Sequence, residues 1–410
     1  MNKKTKKDVV IIGAGPAGTV AACLLQQRGY STQIIERSVF PRFSIGESLL
    51  PQCLTTLEKA RCLDAVQAAG FQVKHGATFQ RNGVYKKIDF SEKFTPGPGT
   101  AFHVERSRFD SILADCAQQA GTNILFNTQV TDVKPELDNC MIEIETADQQ
   151  TQQIEARFVL DASGFVRFLP KLLGFDKPSE LSPKSSLFSH VQDHIDCPDY
   201  SRFETLITTH PKHKNVWYWL ISFANGRSSV GVVGEPEFVQ PYQDKGIEGL
   251  KAVIHEDPEL SRLLADAEYD TQPYNLNAWS GNVTQFAGDG YAIVGNAGEF
   301  LDPVFSSGVT VALQSADLAV DVIDKIFKGE DYDWLKDFEQ PLKVGINTFK
   351  SYVENWYTGG FQDVIYSDIQ EQAVKPKIAS ILAGYAWDER NPFVTKPERR
   401  LQSLIQICQN

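Results

Sequence analysis

Near its start the chain runs Val9-Val10-Ile11-Ile12 directly into Gly13-Ala14-Gly15-Pro16-Ala17-Gly18, and this junction limits the fold more than any other stretch. Four consecutive β-branched residues ahead of a turn are the pattern of a parallel strand buried on both faces. The glycines then have separate purposes. Gly13 permits the tight turn, Gly15 lets backbone approach a pyrophosphate, and Gly18 lets the next helix, expected over Thr19 to Arg28, pack closely on the strand. A helix starting here, with Pro16 and Ala17 at its entry, offers an anion its free N–H groups and the positive end of its dipole.

A second strand, Thr32 to Ile35, ends in Glu36, where such folds need a carboxylate for the adenosine ribose hydroxyls. Strand, glycines, helix, strand and acid in register predict an α/β dinucleotide-binding fold of Rossmann type. NAD and FAD satisfy that pattern equally.

A chain of 410 residues has room for two or three domains of about 100 to 200 residues each. Its net charge of −12 disfavours nucleic acid as a partner, because that affinity needs clustered Lys and Arg. The one basic cluster, Lys3, Lys4, Lys6 and Lys7, precedes an apolar run that the glycines cut too early for a secretory signal. No run approaches about 18 apolar residues, so a membrane span is not expected and a cytoplasmic location is. The seven cysteines (Cys23, Cys53, Cys62, Cys116, Cys140, Cys197, Cys408) show no CxxC spacing and read as buried thiols, with no metal site expected. His190 and His194 are spaced for one helix face, but Pro198 and β-rich surroundings argue against a helix there.

Three later segments resemble those of aromatic-hydroxylase-type flavoproteins and favour FAD. Val104 to Asp110 opens an apolar-periodic helix and is similar to the segment in which an Arg, here Arg106, lies near the FAD pyrophosphate. Phe158 to Gly164 resembles the motif after a late Rossmann strand and contributes Asp161. Ile293 to Gly298 resembles the motif whose Asp bonds the ribityl chain. Asn296 stands there instead, keeping the acceptor oxygen without the charge. Arg37, Arg42 and Ser48 join the expected cofactor-binding set with Gly13, Gly15, Pro16, Ala17, Gly18 and Glu36.

Phe300, Pro303, Ser306 and Gly308 meet in full the F-x-x-P-x-x-S-x-G pattern of the flavin-dependent halogenases, and Ile45-Gly46-Glu47-Ser48-Leu49-Leu50-Pro51 adds to the resemblance. That family implies reduced FAD from a separate reductase, oxygen, chloride or bromide, and an amine that directs hypohalous acid onto an electron-rich ring. Pro303 and Gly308 are then expected at the flavin. The N–H groups of Ser307 and Gly308 form a nest for halide, although a loop binding only the flavin carbonyl uses the same donors.

Lys74, in Gly70 to Phe79, resembles the lysine segment of the phenol and pyrrole branch. Its apolar flanks predict a strand entering the core, where most lysines are solvated. Trp217-Tyr218-Trp219-Leu220-Ile221-Ser222 nearly matches W-x-W-x-I-P, with Ser222 in place of Pro. Strand alternation puts Trp217 and Trp219 on one face, as a wall between flavin and substrate or as ordinary packing. Phe305 takes the position of the tryptophan branch's glutamate, which points to phenols or pyrroles as substrates, free or tethered to a carrier protein. Glu47 reads as a structural or flavin-side residue.

The expected architecture is α/β: a Rossmann-type FAD-binding fold, aromatic-hydroxylase and glutathione-reductase-like, over residues 1–75, 100–180 and 281–331. A β-sheet substrate domain inserts at 76–99 and 181–280, and a C-terminal helical cap spans 332–410. The rival expectation is an FAD monooxygenase, prenyl reductase or dehydrogenase on the same fold.

Overall fold

The computed structural model describes residues 6–367 and 373–409, so Lys3 and Lys4 of the basic cluster lie outside the described residues. Lys7–Ile12 sits between Thr32–Ile35 and Thr151–Asp161 and pairs parallel to both, with Ile12 opposite Ile35 on one side and Asp161 on the other. Asn123–Leu125 and Tyr291–Ile293 extend the sheet on either side, again in parallel. An antiparallel pair, Gln129–Lys134 and Cys140–Glu145, continues it from the first half of Thr151–Asp161. Val9, Val10 and Ile11 are fully buried, as a strand covered on both faces requires.

The first helix is Pro16–Gln27, one turn earlier than expected from the sequence. Proline's fixed φ suits the first helical position, and its missing N–H is no loss there. The glycines preceding it are sterically required. Gly13 has φ +100° and a Cβ there would lie 2.6 Å from the Ala162 carbonyl oxygen, while a Cβ at Gly18 would lie 2.1 Å from that of Gly13. This helix packs on Arg106–Gln119 and Ser307–Lys328.

A second sheet has seven strands in the order Tyr274–Asn277, Ser185–Gln192, Arg227–Gly234, Trp217–Ser222, Glu204–Thr209, Gly76–Arg81, Val84–Asp89. Alternation divides its two faces. Trp217, Trp219 and Ile221 belong to the main core, whereas Tyr218 and Leu220 join a second core with Val239, Leu250, Val253 and Leu260. Those residues come from Pro236–Gln243, Gly246–Ile254 and Pro258–Leu263, three helices the sequence reading did not assign.

The C-terminal segment is helical, with Gln340–Tyr357, Gly360–Tyr366, Lys375–Leu382 and Pro397–Gln409 as its longer pieces. Trp334, just before these helices, stacks on Phe158 of the first sheet at 5.9 Å. Among the cysteines, Cys116, Cys197 and Cys408 are half-buried rather than buried. His190 lies on the strand Ser185–Gln192 and His194 beyond its end with φ +47°, so they share no helix face. No helix among the described residues is long and apolar enough to cross a membrane.

Candidate active site

The turn after the first strand opens onto a cavity of about 420 Å³ between the two sheets. Glu36 holds the turn from below. Its Oε2 accepts the Ala14 N–H at 2.8 Å and its Oε1 the Ser38 N–H at 2.9 Å, so the carboxylate lies on the cavity wall already oriented. A Cβ built on Gly15 meets only Arg42 Nη2, at 3.8 Å, so this residue keeps space open rather than relieving a clash. Arg42 reaches Asp110 at 3.2 Å and stands beside Glu36 at 3.9 Å.

Arg106 also lines the cavity, but its fork is occupied. Nε and Nη2 bind the two oxygens of fully buried Asp110 at 2.7 and 3.0 Å, and Nη1 donates to the Ile45 carbonyl. It therefore fixes the turn that carries Glu47 and Ser48.

Of the expected residues, Gly13, Gly15, Pro16, Ala17, Glu36, Arg37, Arg42, Ser48, Arg106, Asn296, Pro303 and Gly308 all line this one cavity, as do Trp217 and Trp219. Others do not. Gly18 is off the wall, pressed against Gly13 in a purely packing role. Asp161 is fully buried behind the wall, its oxygens taken by the Ser163 and Leu169 N–H groups at 2.8 and 2.7 Å, and burial raises its pKa. Ser307 is buried off the wall, while its neighbours Ser306 and Gly308, both half-buried, line the cavity. Phe305 packs edge-on against Tyr352, Trp356 and Phe361 of the cap, away from the cavity.

Lys74 is buried to 1% exposure, its Nζ donating to Ser48 Oγ at 2.7 Å and to the Leu49 carbonyl at 3.1 Å. It is not on the cavity wall, but Ser48 is. Burial pushes its pKa down to about 7, since the interior penalises an ammonium.

Ser222, the departure from the Trp motif, points to the face opposite Trp217 and Trp219, where its Oγ bonds the Tyr200 hydroxyl at 2.6 Å. Its side chain therefore leaves the cavity wall unchanged. Trp219 is held from behind by Gly231, where a Cβ would fall 2.4 Å from the indole. Gly231→Ala is expected to displace Trp219 and lower stability by about 1 to 3 kcal/mol, measurable as a fall in Tm with a change in indole fluorescence.

Glu47 is buried and lines the cavity. Its Oε1 lies 2.5 Å from His190 Nε2. Burial works against a charged His190 ring, but Glu47 outweighs it and the histidine titrates above its ordinary value. Glu47 and Trp279 line the cavity, and Glu47 Oε2 and Trp279 Nε1, both buried, have no partner within the protein. Buried polar atoms are rarely left so, and a polar ligand in the cavity can satisfy them. Thr205 and Ile207 also line the cavity. The sequence signal for them was alternation along Glu204–Thr209, paired beside the Trp strand.

A parallel sheet with a glycine turn and a carboxylate at the end of the next strand, beside a ligand-sized cavity, is the architecture of a dinucleotide-binding protein. The FAD binding domain family model matches residues 6–337. A 1H-pyrrole-2-carbonyl-[peptidyl-carrier protein] brominase of Pseudoalteromonas luteoviolacea is 30% identical over 81% of this chain and 80% of its own. The corresponding chlorinase of Pseudomonas fluorescens is 28% identical over 97% and 94%. Among solved structures, a flavoprotein/dehydrogenase from Cytophaga hutchinsonii is 39% identical with a TM-score of 0.95, covering 99% of both chains. The flavin-dependent brominase Bmp2 is 25% identical with a TM-score of 0.83, covering 97% of this chain and 100% of that one. The chain belongs to the FAD-dependent oxidoreductases and, among them, to the flavin-dependent halogenase family.

Proposed function

We propose that the protein halogenates an electron-rich aromatic ring, a phenol or a pyrrole, free or on a carrier protein, with Lys74 directing hypohalous acid made from chloride or bromide. The observation that carries this reading is a fully buried amine one hydrogen bond behind the cavity wall, through Ser48. The names of the pyrrole-carrier halogenases support the substrate class.

FAD bound here, reduced by a separate reductase, supplies with oxygen the two-electron oxidation of halide. Residues 1–75, 100–180 and 281–331 hold it. Glu36 and Arg37 take the adenosine end, and the helix start at Pro16 with Arg42 takes the pyrophosphate. Asn296, Pro303 and Gly308 take the ribityl and ring end. Ser306 and Gly308, where the loop lines the cavity, are the halide side. Trp217 and Trp219 keep the substrate from the flavin. The ring carbon takes the halogen from hypohalous acid and loses its proton, releasing water.

Incubation with FAD, a flavin reductase, NADH, oxygen and either halide, with monochlorodimedone, phenols or a pyrrolyl carrier protein, is expected to give halogenated product. Hydroxylated product alone under every halide condition overturns the reading and favours the second one, an oxidoreductase without halogenation. The description of the Cytophaga relative as a dehydrogenase supports that second reading.

The neutral amine is the acting form, and Lys74 loses its proton near pH 7. Halogenation is therefore expected to rise with pH up to about 7 and level off above, in a kcat/KM profile at saturating reduced FAD. A flat profile from pH 5.5 to 9 removes this assignment.

A further inference from the structure

From Lys74 a chain of four buried side chains runs through Ser48 and Thr205, which line the cavity, to His103 behind it. Ser48 Oγ lies 2.8 Å from Thr205 Oγ1, Thr205 Oγ1 lies 2.9 Å from His103 Nε2, and His103 Nδ1 lies 3.0 Å from the Ser222 carbonyl oxygen. All four side chains are at least nine-tenths buried. Backbone pairing holds them together: Ser48 bridges His103, and Gln72–Lys74 pairs with Ala101–His103.

The direction of every hydrogen bond in this chain follows from its inner end. Burial, and then the charge of Lys74, push His103 down to about 3, so the ring is neutral and carries one N–H. The Ser222 carbonyl can only accept, so that hydrogen is on Nδ1 and Nε2 is an acceptor. Thr205 must then donate to His103. Its oxygen can only receive from Ser48, so the Ser48 hydroxyl points to Thr205 and its oxygen receives from Lys74. The amine therefore gives one N–H to Ser48 and one to the Leu49 carbonyl, and a neutral amine bonded in this way keeps its lone pair free.

We propose that His103 is a positioning residue that, through Thr205 and Ser48, sets this direction and keeps the Lys74 lone pair available. The proposal rests on the reading of Lys74 as the directing amine. With no acceptor at position 103 the chain can reverse. Thr205 then donates to Ser48, Ser48 donates to Nζ, and the lone pair is consumed. The titratable groups around the chain have partners of their own: Cys53 with Thr310, Arg202 with Asp193, Tyr200 with Ser222 and His190 with Glu47.

The test uses full-length FAD-loaded protein carrying ¹⁵N-lysine, reading the Lys74 Nζ titration by NMR alongside the halogenation pH profile. A serine that donates to the amine favours its neutral form. His103→Leu is thus expected to lower the Lys74 midpoint by about one pH unit and the halogenation rate about tenfold. His103→Gln, whose amide supplies both a donor and an acceptor, is expected to restore both. Thr205→Val breaks the chain one link nearer the amine and serves if His103→Leu does not fold, with Thr205→Ser as its restoring partner. A wild-type midpoint and pH profile in a folded His103→Leu or Thr205→Val protein overturns the proposal. Full activity in Lys74→Met overturns instead the reading beneath it.

Discussion

Lys74→Met is expected to bind FAD normally, to halogenate at least about a hundredfold more slowly, and to melt at a higher temperature than the parent. The rate loss follows from removing the one side chain among the described residues that donates an amine N–H to Ser48 at the cavity wall. The gain in stability follows from the cost of burying that amine. A pKa lowered from 10.5 to about 7 corresponds to an unfavourable term on the order of 4 to 5 kcal/mol, at about 1.4 kcal/mol per unit.

Methionine fills similar space without that cost and leaves the Leu49 carbonyl short of a donor, a loss of about 1 to 3 kcal/mol. The balance favours methionine. The sign with pH is also fixed. The unfolded chain keeps the lysine proton up to about 10.5 while the fold releases it above about 7, so the parent gains stability as pH rises between those values. The Tm advantage of Lys74→Met is therefore largest at pH 7 and below and shrinks toward pH 10, as calorimetry across that range will show. Undiminished halogenation by this variant would remove the directing role of Lys74.

Gly15→Leu is expected to yield folded protein without FAD, with a Tm near that of the parent apoprotein and an affinity for FAD lowered about a thousandfold or more, roughly 4 kcal/mol. Gly15 has φ −71° and ψ 179°, a conformation open to any L-residue, and its missing Cβ faces open space. A leucine there occupies the cavity without straining the turn. Gly13→Ala should behave differently. Its positive φ and the 2.6 Å approach to the Ala162 carbonyl oxygen damage the fold itself. Comparing the two by flavin absorbance after purification and by melting separates ligand space from backbone strain. Stoichiometric FAD in Gly15→Leu would mean that the pyrophosphate does not rest on this turn.

The cofactor half was legible because its determinants are contiguous. Strand, glycine turn and helix follow one another directly from Lys7 to Gln27, and Glu36 closes the pattern at the end of the next strand. Motif matches placed backbone well and side chains less well. Asp161 lies at the predicted strand end, yet its carboxylate caps the helix Phe168–Leu173 instead of reaching the cavity. Phe305 occupies the expected loop, but Ser306, in a left-handed conformation at φ 57°, redirects the chain there and the ring packs under the cap. His103 gave no signal in sequence, and alternation along Glu204–Thr209 gave Thr205 a strand face without linking it to Lys74. Their roles arise where segments around 48, 74, 103, 205 and 222 converge, and the pairing of Glu204–Thr209 with Gly76–Arg81 that brings them together is a long-range event.

One hydroxyl joins three parts of the chain. Tyr357, near the end of the cap helix, donates to Asp302 Oδ2 at 2.8 Å and accepts from Trp217 Nε1 at 3.0 Å, while Asp302 also caps the Val304 N–H at 3.0 Å. The C-terminal helix, the loop and the Trp strand are thus tied together through a single phenol. On the proposed reading of Trp217 as the wall between flavin and substrate, chimaeras that graft a foreign C-terminal segment will loosen that wall unless the graft retains a tyrosine at this spot.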